Sequence, residues 1–77
     1  MQTAVFPRSK SPAAQQKDVD RWNAAHPIGT AVRVTLDNGA VSHTRTRSRA
    51  ELLSGHSAVI WLEGVVGCYT LNRVEAL

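Results

Sequence analysis

The chain has 77 residues, 43% hydrophobic and 19% charged, enough for one small domain with a modest core and too apolar for a disordered polymer. Its net charge of +3 divides unevenly, with four basic and two acidic residues through Ala25 and five basic and four acidic after it, which allows a local basic patch and argues against a domain-wide basic field. Cys68 is the only cysteine, so an internal disulfide is excluded, and with three scattered histidines it makes no zinc-ligand spacing.

Residues 1–10 show no periodicity and read as a flexible tail, leaving 11–77 as a single domain. Ser11-Pro12 reads as an N-cap followed by proline at the first helical position, and predicts a helix over 12–25. Val19, Trp22 and Ala25 form a thin apolar stripe on it, with Gln15, Gln16, Lys17, Asp20 and Arg21 assigned to the other side. His26-Pro27 stops the helix, because the residue before a proline avoids the helical region. A stripe this thin must dock, and Trp22 is the expected anchor.

Gly29 opens a region expected to hold the barrel, over 28–77. Alternation of Val32 and Val34 with Arg33 and Thr35 predicts a strand over 30–36. Asp37-Asn38-Gly39 predicts a hairpin turn, with a return strand over 40–46. On that strand Val41, His43 and Arg45 are assigned inward, a weak set that suits an edge. Ser48 and Glu51 have the spacing of a capping box, which predicts a short helix over 49–54 closed by Gly55.

Residues 57–71 form the longest apolar run. Glu63-Gly64 divides it into strands over 58–62 and 66–71. Both faces of the first are apolar, with Ala58, Ile60 and Leu62 on one and Val59 and Trp61 on the other, so both need cover. The helix is expected to dock on the Val59 face. A last strand is expected near 73–76. The fold class is therefore mostly β, α+β: a small antiparallel barrel with an N-terminal helix and one short helix between strands.

The segments 29–34, 37–39, 58–64 and 68–77 together resemble the layout of a Src-homology-3-like barrel. Trp22-Asn23, His26-Pro27-Ile28-Gly29-Thr30, Thr46-Arg47-Ser48 and Gly55-His56-Ser57-Ala58-Val59 also resemble short proteins of bacteriophages and integrated mobile elements. That likeness implies a phage-like or mobile-element origin and supplies no catalytic residues. No apolar run has membrane-spanning length and no secretion-signal layout is present, so the expected location is the cytoplasm of a bacterial or phage-infected cell, with no membrane partner.

His26, His43 and His56 fall on different segments, and neither a triad nor a glycine-rich phosphate loop is legible. No enzyme, cofactor or metal is expected. His56 reads most simply as a turn-fixing residue and Cys68 as a small buried hydrophobe. Two binding classes remain, of which the first is the expected function and the second the alternative. A protein-binding or self-associating module, with a host factor or a second copy as partner, would use Val59, Trp61, Val65 and Tyr69 as anchors. A nucleic-acid-binding module would use the basic stretch from His43 to Arg49, with Arg45, Arg47 and Arg49 on phosphates. That stretch contains no aromatic residue, which argues against base stacking.

Overall fold

Ser11 caps the helix as its residue type predicts, in a computed structural model that describes residues 11–77; the expected tail over 1–10 lies outside the described residues. The Ser11 hydroxyl oxygen accepts the Ala14 N–H at 3.2 Å, and α1 runs Pro12–Ala25. His26 leaves the helix in extended backbone, its N–H donating to Trp22 O at 2.8 Å. The proline that follows prevents a further turn.

Six strands follow: β1 Ala31–Thr35, β2 Val41–Arg45, β3 Glu51–Leu53, β4 Ser57–Trp61, β5 Cys68–Thr70 and, after a 3-10 turn at Leu71–Arg73, β6 Val74–Ala76. They form two antiparallel three-stranded sheets, ordered β2-β1-β6 and β3-β4-β5. A single bridge, Thr46 to Leu62, stitches one to the other. The expected closed barrel is not formed. Among the described residues the outer strands β5 and β6 pair only with β4 and β1, so two edges are open there.

The core lies between the sheets. Val32, Val34, Ile60 and Leu62 are fully buried there, beside Ala50, Ala58, Val74 and, from the helix, Val19. Trp22, Leu52, Val65, Tyr69 and Leu71 pack around this cluster while partly exposed. The alternation in β1 and the inward set of the central hairpin follow the sequence pattern. In β2 the faces are reversed. Val41 is 56% exposed, His43 and Arg45 are exposed with it, and Ser42, Thr44 and Thr46 turn inward. The inward hydroxyls have hydrogen-bonding work there. Thr44 Oγ1 donates to Glu63 O at 2.7 Å.

The short helix expected over 49–54 is absent, replaced by a bulge and β3. Thr46 bridges Leu62, and Glu51 pairs with Val59. Four residues separate the first pair from the second on one strand and two on the other, so the stretch 48–50 is a bulge with two extra residues. Ser48 misleads because it satisfies a backbone donor either way. Its hydroxyl oxygen accepts the Trp61 N–H from the neighbouring strand at 3.2 Å, where a capping box would have used its own helix. Ser54 and Gly55 both adopt positive φ, 54° and 80°, and His56 N–H closes on Leu53 O. This is the primed type of turn that joins tight hairpins, where the sequence suggested a helix C-cap.

The helix docks on the inner side of β3 and β4, through Val19 and Trp22, and not on the Val59 face. Two side-chain amides fix it. Gln15, assigned to the solvent side by its polarity, donates to His56 O at 2.6 Å and accepts from Ala58 N–H at 2.7 Å. Asn23, eight residues on, donates to Ala50 O at 3.0 Å and accepts from Ala50 N–H at 2.9 Å. Each amide presents a donor and an acceptor together, as a neighbouring strand would. Spacings of four put Gln15, Val19 and Asn23 in one row along the helix.

Thr46 is the one fully buried polar residue among the described residues, 1% exposed. Its hydroxyl oxygen accepts the Gly29 and Thr30 N–H groups at 3.0 and 3.2 Å. Its own backbone exchanges bonds with the same two residues. Thr46→Val keeps the shape and removes the hydroxyl. Because Gly29 and Thr30 keep backbone acceptors on Thr46 and Pro27, the expected loss is moderate, about 1–2 kcal/mol in chemical denaturation. An unchanged midpoint would show that the hydroxyl is dispensable.

Candidate functional site

The outer face of the sheets is built by the exposed positions of β1 and β2 and by their neighbours across the bridge. Register pairs Arg33 with His43 and with Glu75, and Ala31 with Arg45. Arg33 is tied to Glu75 by an ion pair, so its charge is locally balanced. Beyond the end of β2 the chain continues into Arg47, whose N–H donates to Trp61 O at 3.0 Å, while Glu63 N–H donates to Arg45 O at 2.9 Å. Arg45 and Arg47 therefore stand opposite Glu63 and Trp61 on one face, since directly opposed residues share a face. The bulge carries Arg49 next along the chain, also exposed. Re-aiming a side chain is a common use of a bulge.

The three arginines differ in how they are held. Arg45 Nη1 donates to Gly29 O at 3.1 Å, and Arg47 Nε donates to Leu62 O at 3.1 Å. Each bond uses one edge of a guanidinium and leaves other N–H groups for a ligand. The Arg49 carbonyl accepts the Ser48 hydroxyl at 3.0 Å, its guanidinium has no partner among the described residues, and none of the three joins an ion pair there. Glu51 and Glu63 are the acidic residues nearest the row in sequence and register.

The four apolar candidates do not form one surface. Val59 shares a face with Trp61 but is only 3% exposed. Val65 and Tyr69 belong to the core side of the sheet, and the Tyr69 hydroxyl oxygen accepts the Asp37 N–H at 3.3 Å. Trp61 is half-buried and keeps part of its ring accessible. The most exposed apolar side chain of the hairpin is Val66, 98% exposed in the loop before β5, a residue its sequence neighbours do not distinguish.

Among the described residues, clefts lie elsewhere. One, of about 400 Å³, is lined by Trp22, Ala25, His26 and Leu71, with Asp18, Arg21 and Asn72 at its rim. The Trp22 and His26 rings sit 4.3 Å apart there at a tilt of 54°. Another, of about 350 Å³, lies beside Tyr69, Cys68 and the Arg73–Asp37 ion pair. No group of three or more metal-ligating side chains occurs among the described residues, and no helix there is long and apolar enough to cross a membrane.

Residues of the segments 22–23, 26–30, 46–48 and 55–59 make contacts that join distant parts of the chain. Asn23 holds Ala50, Gly29 and Thr30 hold Thr46, Ser48 holds Trp61 and His56 O receives Gln15. Their polar groups are occupied in joining helix, loop and sheets. Comparison with protein-family models, curated proteins and solved structures found no match.

Proposed function

We propose that this chain is a non-catalytic binding module and that the ligand of its arginine row is nucleic acid. The observation that carries the reading is that Arg45, Arg47 and Arg49 are all exposed and without an acidic partner among the described residues. Backbone carbonyls hold two of the three in place. A guanidinium ordered before binding loses less entropy when it meets a phosphate. The strand order and the 3-10 turn before β6 support a Src-homology-3-like layout for the scaffold, and the motif likeness supports a phage-like or mobile-element origin.

The test is the salt dependence of binding. Three phosphate contacts give a slope of log affinity against log salt of roughly −2 to −3, and each arginine replaced by glutamine should reduce it by about 0.7–0.9. Absence of binding to DNA or RNA at low ionic strength would end this reading. A protein-binding or self-associating module is the second reading. It is favoured by Val66, by the accessible part of Trp61 and by the two open sheet edges. A mass above the monomer at micromolar concentration, lost on Trp61→Ala in a folded variant, would support it.

A further inference from the structure

The register across the bridge supplies what the basic stretch lacks in sequence, an aromatic ring. Trp61 lies on β4, fourteen positions along the chain from Arg47, yet the Arg47 N–H donates to its carbonyl and the two side chains leave the same face. Its own N–H is taken by Ser48, so the strand is pinned on both sides of the tryptophan backbone. The ring is half-buried, which fixes its position and leaves part of its surface accessible. Arg47 stands opposite it and Arg45 opposite Glu63 on the same face, and exposed Arg49 follows in the bulge.

We infer that Trp61 is a base-stacking platform and that the ligand of this face is single-stranded nucleic acid, a refinement that rests on the proposed reading of the arginine row. The chemistry is specific to single strands. A duplex offers phosphates to Arg45, Arg47 and Arg49 but keeps its bases stacked on one another. A single strand offers the same phosphates and, within one nucleotide of them, an unpaired π-face for the indole. Successive outward residues of a strand are roughly 6.6–6.8 Å apart, a pitch that lets a nucleotide backbone follow Arg45 and Arg47 while a base turns onto the ring between the two strands.

The experiment titrates the full chain at low salt with a short oligothymidylate and with a mixed-sequence duplex carrying the same number of phosphates. The ring protons of Trp61 are followed by NMR alongside affinity. The expected results are about tenfold or greater preference for the single strand, upfield ring-current shifts at Trp61, and about tenfold loss of affinity in Trp61→Leu with the salt slope unchanged. Trp61→Phe keeps a ring and should retain most of the affinity. If Trp61→Leu does not fold, the wild-type ring shifts and the phenylalanine variant decide. Equal binding of duplex and single strand with Trp61 resonances unmoved overturns the stacking role while leaving the phosphate reading in place. Failure of both nucleic acids to bind overturns both.

Discussion

Replacing Ile60 by alanine is expected to lower the free energy of unfolding by about 3–4 kcal/mol. Ile60 is fully buried at the middle of β4 and belongs to the cluster that unites the two sheets and the helix. Its neighbours on that face, Ala58 and Leu62, are also buried, and both sit in paired backbone that resists collapse into a cavity. A domain of this size holds on the order of 5–10 kcal/mol in total, so the variant should lose a large part of it. The midpoint in urea should fall with the slope of the transition preserved. A loss below about 1 kcal/mol would mean that β4 does not pack as described.

Asn23→Leu should be nearly as damaging, by about 2–4 kcal/mol, although it makes the residue more apolar. The amide of Asn23 serves both the N–H and the C=O of Ala50. Ala50 is 3% exposed and belongs to the bulge, where the regular ladder is interrupted. Leucine would leave a buried donor and a buried acceptor unpaired at once, which is the costly case. Asn23→Asp should recover part of the loss, because one oxygen still accepts the Ala50 N–H while the other side faces a carbonyl. Hydrogen exchange at the Ala50 amide reports the same contact locally. Protection there in the leucine variant equal to that of wild type would show that the amide is not what holds the helix to the bulge.

Both predictions concern contacts that differ in how far the chain announces them. Ile60 lies in an alternating apolar run, and its burial follows from strand period alone. Asn23 is a polar residue near the end of a helix with little to set it apart. Its value depends on Ala50, twenty-seven positions away. Gln15 is the same case, grouped with the solvent side for its polarity and found reaching His56 and Ala58. Polarity predicts exposure only where no buried backbone group needs a partner, and that need is created by the docking partner.

The candidate site divides along the same line. The arginine row was legible because Arg45, Arg47 and Arg49 alternate along one segment. The apolar set was not, because Val65 and Tyr69 turn to the core side while Trp61 turns outward. A shared apolar character cannot tell one face of a sheet from the other when both are covered. The placing of Trp61 beside Arg47 needed the bridge at Thr46 and Leu62, a pairing with no local signal in either segment.

The sequence by itself determined the helix and its two ends, the strands of both hairpins, the core alternation in β1 and β4 and the mostly-strand character of the fold. These rest on interactions within a few residues: a serine oxygen over the first turn, a proline at its end, a two-residue period, an asparagine-glycine turn. Tertiary structure alone decided that residues 48–53 become a bulge and a strand instead of a helix, that the sheets remain open at β5 and β6, and that the helix is fastened by Gln15 and Asn23. The physical reason is that a short segment carrying both helical and strand signals gains too little locally to choose. Ser48 can cap a helix or accept the Trp61 N–H, and the long-range pairing with β4, together with burial of Ala50 against the helix, selects the second.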